Sequence, residues 1–174
     1  MIQGFWISTF WQSEHFRRID GKLQQIGYWE DGNIVTNEGI NHHLGVEFSG
    51  EDQITDWYIC VFEDDYDPLI TDTYAAPGYT ECEALQELSR PIWLEGGAAS
   101  KQISNVSNKA SFTFSLGKTI YGYSLVGGGN DPSVIGDTAG GGVLFCASKF
   151  SGGSQAVIAG DVIKVTVTVT AASG

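Results

Sequence analysis

The sequence predicts an all-β protein: a single β-sandwich or jelly roll with one or two short helices and an N-terminal arm. Three observations carry this expectation. Asp161–Thr170 reads D-V-I-K-V-T-V-T-V-T, with Ile163, Val165, Val167 and Val169 on one face. Lys164, Thr166, Thr168 and Thr170 fall on the other with Val162. A β-branched run with period two is a long strand with one buried face. From Ala110 onward, short β-branched and aromatic runs recur between glycine turns, as in sandwiches and jelly rolls. Finally, 174 residues with a 42% hydrophobic share can bury a proper core.

The first segment is the unusual one. Phe5, Trp6, Phe10, Trp11 and Phe16 crowd together ahead of the basic pair Arg17–Arg18, with neither a helical face nor sustained alternation. Residues 1–27 are therefore read as an aromatic arm and 28–174 as the sandwich domain. Two readings stand for the arm: it folds back over its own sandwich, or it reaches a neighbouring subunit. In the second, these seven residues bind the partner, because large aromatics are the usual interface anchors. Tyr28, Trp29, Ile34 and Val35, split by Asp31–Gly32, fit a short hairpin or edge strand.

Thr36–Phe48 reads as a short helix. Ile40, Leu44 and Phe48 recur at spacing four, Thr36 or Asn37 caps it, and Gly39 and Gly45 weaken it. Such a helix commonly plugs the open end of a sandwich. Trp57–Phe62 is apolar on both faces, hence a central strand. In Thr80–Leu88, Glu83 follows Thr80 at the spacing of a capping box, which predicts a second helix ended by Arg90–Pro91.

Ala110–Leu116 and Thr119–Val126 are expected to form a hairpin about Gly117–Lys118, with Phe112, Phe114 and Leu116 sharing a face. Residues 127–142 are a glycine-rich loop. Val143–Phe150, Gln155–Ile158 and the Asp161–Thr170 strand complete the sheet.

Nine basic against twenty-one acidic residues give a net charge of −12, which repels phosphate and anionic lipid. Nucleic-acid and membrane partners are therefore not expected. Cys60, Cys82 and Cys146 have no framework spacing and read as reduced. The apolar start lacks a basic leader region, so it does not read as a signal peptide.

Reactive constellations are weak. The Glu63–Asp67 loop lacks the glycine and the terminal Glu of a calcium loop. His42 and His43, as helix neighbours, point about 100° apart and do not share a metal. The glycine runs continue into no phosphate cradle, and no Gly-x-Ser-x-Gly is present. The expectation is a non-enzyme without metal or cofactor. A glycan-stacking role would fall to Trp93, Tyr121 and Tyr123.

Five phrases then stand together: N-I-V-T-N-E-G-I-N-H-H-L (Asn33–Leu44), W-Y-I-C-V-F (Trp57–Phe62), S-R-P-I-W (Ser89–Trp93), G-D-T-A-G-G-G-V-L-F-C (Gly136–Cys146) and A-V-I-A-G-D-V-I-K-V-T (Ala156–Thr166). In order and approximate spacing, the chain from Asn33 to its end resembles a family of small virion structural proteins of tailed bacteriophages and prophages. The resemblance implies a capsid cement or decoration protein, or else a tail, neck or fibre-associated component. Its partners would be the major capsid protein and neighbouring copies of itself, on a virion assembled in the host cytoplasm.

Overall fold

The computed structural model of the chain describes residues 5–173. Its element order is β1 (Phe5–Ile19), β2 (Lys22–Gly32), β3 (Ile34–Val35), α1 (Asn37–Phe48), β4 (Trp57–Phe62), β5 (Gln102–Ser104), β6 (Ala110–Thr113), β7 (Lys118–Ile120), β8 (Gly122–Gly127), β9 (Val143–Lys149), β10 (Gln155–Val157) and β11 (Val162–Ser173). The fold is all-β with one short helix.

Two antiparallel sheets face each other. The first runs β2-β1-β11-β5, with β6 also on β11; the second runs β3-β9-β8-β4. A small β10–β7 ladder stands beside them. Ile163, Val165, Val167 and Trp11 of the first sheet meet Ile59, Val61, Tyr123, Leu125 and Cys146 of the second in one core. The alternation read in the last strand is what drives this: its β-branched odd positions point into the core, and it pairs with β1 along its whole length.

The other edge of β11 is shared by β6 at Val162–Val165 and β5 at Thr168–Thr170, leaving a gap between them. Asn105 fills it. Its Oδ1 accepts from the Val167 N–H (2.7 Å) while its Nδ2 donates to the Val165 carbonyl (3.1 Å), so a buried side-chain amide replaces a missing strand.

The leader departs from the expected arm. Residues 5–19 form β1, an inner strand between β2 and β11, and the boundary expected at residue 28 falls within β2. Asp20 and Gly21, both at positive φ (50° and 76°), make the two-residue turn joining β1 to β2. No hairpin forms about Asp31–Gly32: β2 edges the first sheet, and β3 pairs with β9 in the second.

α1 is capped by Thr36, whose hydroxyl accepts from the Gly39 N–H (3.0 Å). It does not turn its apolar stripe inward. Gly39 and Gly45 are the buried residues, and a Cβ on Gly39 would meet the Phe145 carbonyl oxygen at 2.5 Å. That close backbone approach fixes the helix rotation and leaves Ile40, Leu44 and Phe48 outside, Phe48 being 81% exposed.

Two further expectations are corrected. Thr80–Leu88 is not a helix: Glu81 bridges Phe62 of β4, and Leu85 bridges Phe114 just beyond β6. Extended pairing with two sheets outweighs a capping motif. β6 and β7 form no hairpin either; β6 joins β11, β7 joins β10, and Leu116 is exposed. The chain then changes partners at Tyr121 and enters β8. β4 pairs with β8 on one edge, and isolated bridges from Glu81 and Ile92 cover the other.

Candidate interaction surface

From Thr9 to His15 the odd residues of β1 face the core, while Trp6, Phe10, Gln12 and Glu14 lie on the outer face. Trp11 is completely buried and stacks on Tyr123 with ring centroids 5.6 Å apart. The polar inward positions are each satisfied: Ser13 Oγ donates to the Tyr123 hydroxyl (3.1 Å), and Thr9 Oγ1 to Cys146 Sγ (3.6 Å). Outward, Trp6 is 52% and Phe10 40% exposed, and Tyr28 on β2 is 52% exposed. Large rings facing water on a rigid sheet are the feature that requires explanation.

A polar frame holds the Tyr28 ring. The Gln12 amide donates to the Tyr28 hydroxyl (2.9 Å) and to Glu30 Oε1 (2.8 Å), and the Tyr28 hydroxyl donates to Glu30. Those bonds from Tyr28 and Gln12 lower the Glu30 pKa, keeping it ionised. Glu14 pairs with Lys109 (2.9 Å), and Lys164 lies 5.2 Å over the Phe16 ring. An anchor already held in place, as Tyr28 is, loses little freedom on binding.

Beyond Phe16, opposite Val162, β1 and β2 continue past the end of β11 as a two-stranded ribbon. Its tip exposes Ile19, Leu23 and Ile26 together with Arg18 and Lys22. Its root is fastened by Asp161, which is 1% exposed and receives both Arg17 Nε (2.8 Å) and Arg17 Nη2 (2.6 Å). His15 Nε2 lies 2.9 Å from the same carboxylate, and the Ile158 N–H donates to it.

Burial raises the Asp161 pKa, but the bonds from Arg17, Ile158 and His15 outweigh it and hold the pKa at about 2. A depressed carboxylate pKa stabilises the fold above the unfolded value and loses that contribution as pH falls. The shift from 3.8 to about 2 is worth about 2 kcal/mol. The stability gap between wild type and Asp161→Asn is therefore expected to narrow between pH 4 and pH 2 in urea titrations. A gap constant over that window would refute the assignment.

The residues expected to bind a partner are thus separated by the fold. Trp6, Phe10 and Arg18 are exposed, Phe16 is half-buried beneath Lys164, and Phe5 opens β1 opposite Ser173. Trp11 and Arg17 are corrected to structural roles, one in the core and one on Asp161. Tyr28 and the tip residues Ile19, Lys22 and Leu23 were not anticipated. The Asp20–Gly21 dipeptide between two strand-like runs is the signal that reveals them.

A concavity of about 540 Å³ opens beside α1, near the opposite end of β1. Ile7, Ile54, Trp57 and Phe145 supply apolar wall, with the His42 ring 6.0 Å from Trp57. Lys101 sits at its edge on a turn where Ser100 and Lys101 both have positive φ (53° and 65°).

The remaining polar clusters are internally committed. Arg90 is buried against Glu81 and binds the carbonyls of Pro132 and Asp137, tying the glycine-rich loop down. Asp65 and Asp67 both pair with Lys149, at 2.7 and 3.1 Å. Burial pushes the thiols of Cys82 and Cys146 up to about 11 and about 12. Trp93 and Tyr123 are buried, which removes two of the three rings considered for glycan stacking. Among the described residues, no group of three or more His, Cys, Asp or Glu side chains is placed to hold a metal ion. Compared with known proteins, the chain matches no family model and no curated protein.

Proposed function

We propose that this chain is a structural protein of a tailed-phage virion, a capsid cement or decoration protein that bridges major capsid subunits. The observation that carries the reading is the outer face of the first sheet, where Trp6, Phe10 and Tyr28 stand in solvent and Tyr28 is held by Gln12 and Glu30. Aromatic rings in such positions are the common anchors of protein interfaces. The likeness of the phrases from Asn33 onward to small virion proteins supplies the setting. A plate of two packed sheets suits a load-bearing clamp, and attachment at several subunits multiplies a modest contact through effective concentration.

Each buried ring at such a contact contributes about 1–2 kcal/mol. The triple variant Trp6→Ser, Phe10→Ser, Tyr28→Ser is therefore expected to melt close to wild type and bind expanded phage heads about a hundredfold or more less tightly. Co-sedimentation with heads lacking the protein reads this out. Failure of the wild-type chain to bind heads, or undiminished binding by the triple variant, overturns the reading.

A further inference from the structure

The ribbon tip and the groove beside α1 have opposite character. Of the nine Lys and Arg residues, Arg17, Arg90, Lys109, Lys118 and Lys149 are in ion pairs, and Lys164 lies over Phe16. Among the described residues that leaves Arg18, Lys22 and Lys101 with neither a carboxylate nor a ring partner. Two of the three sit on the tip, beside exposed Ile19 and Leu23. Asp20 stands in the turn between them, so the tip carries two cations and one carboxylate and is a basic, apolar pole in a chain of net charge −12.

The groove offers the complement. Its walls are mostly apolar, exposed Glu47 on α1 and half-buried Glu95 line it, and exposed Glu51, Asp52 and Asp56 lie in the segment whose Ile54 lines it. Among the described residues that line the groove, Lys101 is the one Lys or Arg, beside His42 and His43, and His42 Nδ1 lies 3.8 Å from Glu51 Oε2. The volume of about 540 Å³ lies within the range of pockets that enclose small apolar ligands, ample for two aliphatic side chains.

Position completes the match. Ile7 in the groove wall and Ile19 at the tip lie on one strand, twelve residues and about 40 Å apart. A copy's own tip does not reach its own groove. Basic and acidic poles at opposite ends of one molecule favour a heterologous contact, which propagates as a ring or a filament.

We propose that the β1–β2 ribbon tip of one copy seats in the groove beside α1 of a second copy, joining copies head to tail. Ile19 and Lys22 share one face of the ribbon and Arg18 and Leu23 the other, so each wall of the groove meets one aliphatic and one basic side chain. This contact presupposes the assembling role proposed above for its biological setting, but it acts in the purified chain alone.

Sedimentation equilibrium of the full chain, across a range of protein and salt concentrations, tests it. Wild type is expected to self-associate, severalfold more weakly at high salt because the charged rim is screened. The tip variant Ile19→Ser/Leu23→Ser and the groove variant Ile54→Asp should each be monomeric with near-native circular dichroism. Mixed in equal amounts they should form a dimer and nothing larger, since one retains a tip and the other a groove. The reversal Arg18→Glu/Lys22→Glu should abolish association, and adding Glu47→Lys/Asp56→Lys in the same chain should restore it, a rescue that does not depend on Ile54→Asp folding. A wild type that stays monomeric at all concentrations, a mixture that forms no dimer from two folded variants, or a charge reversal without rescue overturns the contact. Association that behaves as described in a chain unable to bind phage heads would instead defeat the virion reading and leave this contact standing.

Discussion

Arg90→Met is expected to destabilise the protein by about 3–5 kcal/mol, because it leaves one half of a buried ion pair behind. The Arg90 guanidinium donates to Glu81 through Nε (3.0 Å) and Nη2 (2.7 Å), to the Tyr74 hydroxyl (3.1 Å) and to the carbonyls of Pro132 and Asp137 (both 2.9 Å). Methionine matches the bulk of the stem and none of the donors. The Glu81 carboxylate would then keep the Gly136 N–H (2.8 Å) but no cation. Arg90→Lys should fall between the two, since an ammonium retains the charge without the fork. Adding Glu81→Leu to Arg90→Met should recover part of the loss, as neither charge then remains buried. Urea denaturation measures all four proteins. A loss below about 1 kcal/mol in Arg90→Met would place this pair among ordinary surface salt bridges.

Trp11→Ala is the second large effect, with an expected cost of about 4 kcal/mol from lost burial and the cavity it leaves. The ring has no exposed surface and lies against Tyr123 at an interplanar angle of 15°. Trp11→Phe should cost far less, since a six-membered ring still packs there. It also removes an indole N–H that is buried without a partner. Trp6→Ala, five residues earlier on the same strand, should change stability by about 0.5 kcal/mol or less, because that ring faces water. Equal losses at the two positions would contradict the side-chain alternation of β1.

That alternation explains why the first strand was illegible while the last was plain. In β11 the core-facing positions are Ile163, Val165 and Val167 and the outward ones are largely threonine, so the polarity pattern announces the face. In β1 the pattern is inverted. Thr9, Ser13 and His15 point inward and are satisfied by Cys146, Tyr123 and Asp161, while Trp6 and Phe10 point outward. A reader expecting apolar-in and polar-out sees no strand at all. The same departure marks the candidate surface, because rings were placed outside at positions where folding alone would favour polar residues.

The helix misled for a different reason. Ile40, Leu44 and Phe48 promise an inward stripe, but contact with β9 depends on how closely two backbones approach, and Gly39 permits an approach that any side chain would block. The Thr80–Glu83 spacing likewise suggested a cap, yet Cys82 bonds back to Val61 (2.8 Å) and Ser115 to Ala84 (2.9 Å). Those partners lie far along the chain, beyond what local spacing reveals. The groove was hidden for the same reason: its walls come from Ile7, Ile54, Trp57 and Phe145, which only the assembled sheets bring together.

The adjacency of β1 and β11 also sets a timetable. His15 and Asp161 stand 146 positions apart, and the twelve-residue ladder around them forms only after the last strand has been synthesised. Until β11 has been made, the ring-bearing β1–β2 ribbon keeps the long outer edge of β1 free. Such distant pairing makes for slow acquisition of the native state. It also makes the interval before β11 arrives the period when newly made copies are most prone to cling to one another in the wrong way.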